Sequence, residues 1–279
     1  MKVTTELTEV RSLRWFDRTL SWGLVPTMGA LHQGHISLIR RAHEENEKIG
    51  VSIFVNPIQF NNPKDFEKYP VTLERDLEIL EKENVDLVWT PGADDIFPPG
   101  FKTYAQVEHV STLLEGKSRP GHFKGVATIV AILFNAFQPD RAYFGQKDAQ
   151  QLIVIRQMVS DLKFNLDIVS CPTIREEDGL AISSRNRLLS SQDRKQAVCL
   201  FNALTAAKIS VKNGERSTGK LKKIMKDIIG SYSLARIDYI SIANPQTLTE
   251  IDTVDDNILI SLAVFIKDVR LIDNMTITT

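Results

Sequence analysis

The stretch WGLVPTMGALHQGHISLIRRA, residues 22–42, decides how this chain is read. Residues 22–27 form an apolar run, as a buried strand does. A turn holding Gly29 and Gly34 follows, and from His35 to Glu47 the apolar residues recur at helical spacing. A strand, a glycine turn and a helix N-terminus together make an anion site. Unpaired backbone N–H groups and the helix dipole both favour phosphate there. His32 lies in the turn and His35 near the first helical turn, so both can face one ligand. Metal binding, proton transfer, phosphate binding and an ordinary structural role are all open to such a pair. Zinc needs more ligands, and no third histidine or cysteine follows at metal spacing. Neither GxGxxG nor the P-loop pattern is present, so neither phosphate-binding fingerprint applies.

The alternation continues on both sides. Residues 50–57, 85–91, 139–145 and 165–172 read as strands; residues 73–83, 123–137 and 148–162 read as helices. Strands alternating with helices argue a parallel sheet covered on both faces. Ligands bind such sheets at the carboxyl ends of strands, and Gly29, Asn56 and Gly145 all stand at or just past strand ends. Beyond about residue 172 the pattern changes. A loop over 175–186 leads to helical stretches at 190–213 and 217–230, then to strands at 235–245, 257–266 and 268–277 that suit a small antiparallel sheet. The expected fold class is α/β: a Rossmann-like parallel-sheet domain over 1–173 and a smaller α+β domain over 174–279.

The 279 residues are 43% hydrophobic and 25% charged, ordinary globular values, with a formal net charge of −1. That balance supplies no basic field for nucleic acid. No apolar stretch approaches the roughly 18 residues of a membrane helix, and the first ten residues lack the apolar core of a secretory signal. A cytoplasmic protein is expected, with Cys171 and Cys199 as buried free thiols.

Five blocks carry a resemblance. PTMGALHQGH (26–35) matches the HxGH signature of the nucleotidylyltransferase superfamily. FVNPIQF (54–60), SRPGHFKGVATIV (118–130), AYFGQKDAQQL (142–152) and TIREEDGLAISSRNRLL (173–189) follow. In order and spacing the chain resembles the pantoate–β-alanine ligase family over nearly its full length. The resemblance implies that ATP and pantoate form pantoyl adenylate and pyrophosphate. The β-alanine amine then attacks, releasing pantothenate and AMP. It also implies magnesium alongside ATP and a homodimer. The Ser-Ser-Arg loop falls just past the domain boundary, so the C-terminal domain is expected to act as a lid that closes on ATP.

Site residues are carried over position by position. His32, His35 and Lys147 are the expected catalytic set. The nucleotide would meet Met28, Gly29, Ala30, Leu31, Gln33 and Gly34 around the histidines. It would also meet Gly145, Gln146, Lys147 and Asp148 at a second glycine junction, and Ile174, Ile182, Ser183, Ser184 and Arg185 in the later loop. Asp148 can alternatively serve as a helix cap. Gln59 and Gln151 would hold pantoate, each amide donating and accepting, whereas Gln150 is expected to be an ordinary surface glutamine. Arg119 and His122 are open between substrate and structural contacts. Asp76 matches an acidic position that would help hold magnesium. Three positions depart from the family pattern: Gln146 for glutamate, Ile182 for methionine and Val71 for arginine.

In-line attack of a carboxylate on the α-phosphorus needs positioning and charge stabilisation. A pyrophosphate bound to magnesium needs no proton to leave, so electrostatic stabilisation is the favoured role for the histidines, with proton transfer by His35 left open. Two rivals remain. Another HxGH enzyme, transferring a nucleotide to a phosphorylated alcohol, would want more basic residues and has no need of paired glutamines. A nucleotide-binding regulator with a dead site is opposed by the intact His32, His35, Lys147, Ser183, Ser184 and Arg185.

Overall fold

The computed structural model describes residues 1–61 and 63–278. The chain divides into two compact units: residues 1–146 with 150–172, and residues 147–149 with 173–279.

In the first unit, β1 (Lys2–Thr4) and α1 (Leu7–Phe16) precede β2 (Trp22–Thr27), α2 (Gln33–Glu45) and β3 (Lys48–Ile53). Then come α3 (Pro63–Glu67), α4 (Leu73–Lys82), β4 (Leu87–Trp89), α5 (Ala93–Ile96), α6 (Leu114–Ser118) and α7 (His122–Phe137). The unit closes with β5 (Arg141–Gly145), α8 (Ala149–Asp161), whose first residue falls in the second unit, and β6 (Asp167–Cys171). The six strands form one parallel sheet in the order β1-β4-β3-β2-β5-β6.

Both faces of this sheet are covered, as the alternation requires. Ile49 and Val51 of β3 pack with Leu38, Ile39 and Ala42 of α2 and Leu80 of α4. Gly50, between them, turns to the opposite face, where the Phe137 ring of α7 occupies the place of a side chain; a Cβ on Gly50 would lie 2.5 Å from that ring. The order reverses at β2, which pairs with β3 on one side and β5 on the other. The histidine turn leaves the end of β2, and Gly145 ends β5. Both therefore lie at the switch point where open α/β sheets bind ligands.

Differences from the sequence reading are local. The expected strand at 50–57 ends at Ile53, because Pro57 begins a 3₁₀ turn over Pro57–Gln59. The three-residue edge strand β1 and helix α1 carried too short or too weak a pattern to be read.

The second unit contains α9 (Ser191–Ala197), α10 (Cys199–Lys212), α11 (Thr218–Gly230), β7 (Ala235–Ala243), β8 (Ile258–Ile266) and β9 (Val269–Ile277). The three strands are antiparallel in the order β7-β8-β9. Ile258, Ile260, Leu262, Val264 and Ile266 form one face of β8 and pack with Leu200, Leu204, Leu221 and Met225 of the helices. Among the described residues, no helix is long and apolar enough to cross a membrane.

Candidate active site

The spacing of the two histidines has a local cause. His32 is the N-cap of α2, extended at φ −143° and ψ 176°, and His35 is the third helical residue. His32 Nδ1 accepts the Gly34 N–H at 3.2 Å, and His35 Nδ1 accepts the His32 N–H at 3.3 Å. This is a reciprocal capping box made of two imidazoles in place of serine and glutamate. The rings stack with centroids 4.0 Å apart. A ring nitrogen that accepts from a backbone N–H carries no proton, so this network puts the proton of each neutral ring on Nε2. HxGH therefore presents two Nε2–H donors side by side. Gly34 leaves room for them: a Cβ there would lie 2.9 Å from His32 Cε1.

Three of the backbone donors in the turn are engaged by side chains. The Ala30 N–H donates to Asp76 Oδ2 and the Leu31 N–H to Asp76 Oδ1, each at 2.8 Å. The Gly29 N–H donates to Thr27 Oγ1 at 3.2 Å. With the His32 and Gly34 amides used in the capping box, the imidazoles join the remaining backbone donors as groups that can meet an anion in this turn. The expectation of a magnesium ligand at Asp76 also fits poorly. The carboxylate is 1% exposed and accepts the Thr72 hydroxyl at 3.0 Å besides the two amides. Among the described residues, no group of three or more metal-ligating side chains is assembled.

The glutamine side of the first unit is more elaborate than the sequence suggested. Gln59, 9% exposed, donates through Nε2 to Met28 Sδ at 2.8 Å and accepts from Asn56 Nδ2 at 3.0 Å. Its backbone carbonyl accepts from His122 Nδ1 at 2.8 Å and from Arg119 Nη2 at 3.3 Å. Arg119 Nη1 meets His122 Nε2 at 3.1 Å, so Arg119 and His122 together hold the Gln59 backbone. Gln151 is half-buried in the first turn of α8. Gln150, expected at the surface, is 6% exposed. Its amide donates to the Val110 and Leu113 carbonyls at 2.8 and 2.7 Å and accepts the Glu115 N–H at 3.0 Å, fixing the loop before α6. The sequence placed Asn56 at a strand end on the ligand-binding rim and gave its side chain no contact. It is 1% exposed, also donates to the Gly125 carbonyl at 3.1 Å, and its buried Oδ1 has no partner among the described residues. That acceptor suits a polar group of a ligand.

In the second unit a small, partly open pocket is lined by Lys147, Ser183, Arg185, Asn186 and Arg270, among others. Lys147 Nζ pairs with Asp148 at 3.2 Å, which ties the Asp148 carboxylate to its neighbour. The Lys147 carbonyl accepts from Asn274 Nδ2 at 2.8 Å. Ser183 caps the turn Ser184–Leu188, accepting the Arg185 N–H at 3.3 Å. The Ile182 N–H donates to the Ile174 carbonyl at 3.0 Å, which joins the two arms of this loop. The charge of Asp273, also in the wall, is matched by Arg175 at 2.6 and 2.9 Å. Lys147, Arg185 and Arg270 bring cationic donors of the kind that suit phosphate oxygens to this lining. Arg270 was missed in the sequence because DVRLIDN (268–274) reads only as a strand. Its guanidinium also pairs with Asp238 at 2.7 Å.

The comparisons with known proteins agree. The family model described as pantoate-beta-alanine ligase matches residues 2–276. A pantothenate synthetase of Caldicellulosiruptor saccharolyticus is 50% identical over 268 residues, covering 96% of this chain and 95% of that one. One from Acetivibrio thermocellus is 46% identical over 279 residues, 99% of each chain. The crystal structure of pantothenate synthetase from Thermus thermophilus superposes with a TM-score of 0.94 at 42% identity, over 99% of each chain. That of the pantoate-beta-alanine ligase from Francisella tularensis, complexed with beta-gamma ATP and beta-alanine, gives 0.82 at 38% identity, over 99% of this chain and 97% of that one. This chain belongs to the pantoate–β-alanine ligase family.

Proposed function

We propose that the protein condenses pantoate with β-alanine in two steps, the first of which consumes ATP. First, a pantoate carboxylate oxygen attacks the α-phosphorus of ATP. The bond from that phosphorus to the bridging oxygen breaks, and pyrophosphate leaves. Second, the β-alanine amine attacks the acyl carbon of pantoyl adenylate. The carbon–oxygen bond breaks, AMP departs with the oxygen, and the amine loses a proton to give the amide.

The observation that carries this reading is the imidazole capping box. It fixes two Nε2–H donors at the end of the central strand, where charge growing on phosphate oxygens can be met without reorganisation. Each ring acts as a hydrogen-bond donor, and neither has to transfer its proton. Lys147, Ser183, Ser184 and Arg185 supply the cation and hydroxyl donors for the leaving pyrophosphate. Gln59 and Gln151 select pantoate through its hydroxyls. The ATP-bound Francisella relative supports the nucleotide assignment. ATP enters with magnesium, but Asp76 does not suit that ion, and no step is assigned to it. The reading extends to a cytoplasmic homodimer and to a lid role for residues 174–279 that keeps water from the acyl adenylate. A solution mass near twice 31.5 kDa is expected.

The test is product formation. Pantothenate should appear only when ATP, pantoate and β-alanine are all present. Turnover with a phosphorylated alcohol in place of pantoate, or none with pantoate, would select the rival nucleotidylyltransferase reading.

A further inference from the structure

We propose that Asp76 is a positioning residue that holds the histidine turn in its working shape, and that it is not a ligand for magnesium. The proposal deepens the reading of the histidines given above and rests on it. The turn from Gly29 to Leu31 is an unusual piece of backbone. Gly29 has φ +78° and Ala30 has φ +51°, so a non-glycine residue stands in the left-handed region. Such a conformation persists only when its surroundings over-determine it. The Asp76 carboxylate does so from beneath. Its two oxygens accept the Ala30 and Leu31 amides at 2.8 Å each, and the Thr72 hydroxyl braces Oδ2 at 3.0 Å.

Position in the fold favours the carboxylate for this task. Asp76 lies in the first turn of α4, where the helix dipole stabilises a negative charge. A carboxylate offers only acceptors, so it satisfies both amides at once with charge-assisted bonds. The group is also packed close against the turn, since a Cβ on Gly29 would lie 3.0 Å from Asp76 Oδ2. The next residue after Leu31 is His32, whose ring and amide form half of the capping box. Fixing Ala30 and Leu31 therefore fixes where the box begins. Magnesium makes opposite demands. It keeps several of its waters and reaches protein through accessible oxygens. A carboxylate 1% exposed, with three donors already on it, meets neither demand.

Asp76→Asn separates the two roles. The amide keeps the size of the side chain but places an NH₂ against one of the two backbone N–H groups. Two readouts are needed: ¹⁵N spectra of the imidazoles in the substrate-free protein, and the magnesium dependence of pyrophosphate release. Positioning is supported if the His32 and His35 signals move away from the Nε2–H tautomer pattern and kcat falls at least about tenfold. The magnesium concentration for half-maximal rate should stay within about twofold. Histidine signals identical to the parent's would overturn the proposal, and so would a tenfold rise in that magnesium concentration. The spectra need no substrate, so they decide the positioning claim even if the assigned reaction proves wrong. Thr72→Val, which removes only the brace, provides a milder variant should Asp76→Asn fail to fold. It is expected to shift the same signals in the same direction, and unchanged signals would count against the proposal.

Discussion

At the residue scale, HxGH is two motifs in one. The three-residue spacing is that of a helix cap, and the role proposed for the capping residues is that of a phosphate site. The cap was not legible in the sequence, because capping boxes are recognised by serine and glutamate rather than by imidazole. Gly34 joins the two. In Gly34→Ala the new Cβ would displace the His32 ring, while alanine is the better helix former. We expect the adenylation rate to fall by roughly a hundredfold with a melting temperature no lower than the parent's. Rate and stability falling together would instead mean that the glycine serves folding. His35→Ala should also cost about a hundredfold in adenylation, as loss of one preorganised donor does. A rate within about twofold of the parent would remove His35 from the phosphate site. Asp76 lies at the limit of sequence reading. An acidic residue there can be noticed, but only the folded turn shows which donors it accepts.

At the element scale, the parallel sheet was legible because β2, β3 and β5 are continuous apolar runs followed by helices. The site it positions was less so. The segment after β3 was read as continued strand, yet Pro57 turns it into the 3₁₀ turn that carries Gln59. The partners of the Gln59 backbone carbonyl come from α7 and the residues just before it, about sixty positions later, and no local pattern reports contacts at that distance. Gln150 and Gln151 are adjacent in sequence, but their distinct environments arise from the loop before α6 that encloses one of them. Helix α7 approaches the Gln59 turn through Gly125, where a Cβ would lie 2.7 Å from the Ile58 carbonyl oxygen and 2.8 Å from the Gln59 amide nitrogen. Gly125→Ala should destabilise the protein by about 1–3 kcal/mol through overpacking. The KM for pantoate should rise well above the change in the KM for ATP. Equal changes in both, measured by steady-state kinetics, would detach Gln59 from pantoate.

At the scale of the whole molecule, the change of pattern near residue 172 was readable from composition, as alternating strands and helices gave way to helices followed by strands. The inclusion of residues 147–149 in the second unit was not readable, since they continue the chain directly from β5. Each unit keeps one buried thiol. Burial pushes Cys171 up to about 11 and Cys199 up to about 12 from an ordinary value of 9.0. Their folded values lie above the unfolded one, so the stability they contribute is complete below it and is lost as pH rises. Melting temperature should therefore fall between about pH 9 and pH 11, and replacing both cysteines by alanine should flatten that limb. Neither thiol should react with a thiol reagent in the native protein at neutral pH, while both should react after unfolding. Rapid native labelling at either position would show that the burial is incomplete.

The central claim is that a pantoate carboxylate oxygen bonds to the α-phosphorus of ATP while the paired histidines donate to its phosphate oxygens. Pantoate labelled with ¹⁸O in its carboxylate tests this directly. After turnover with ATP and β-alanine, AMP should carry one ¹⁸O on its phosphate, with none in pyrophosphate or orthophosphate. AMP free of label, or label in orthophosphate with ADP as the nucleotide product, would contradict the acyl-adenylate route and the role assigned to His32 and His35.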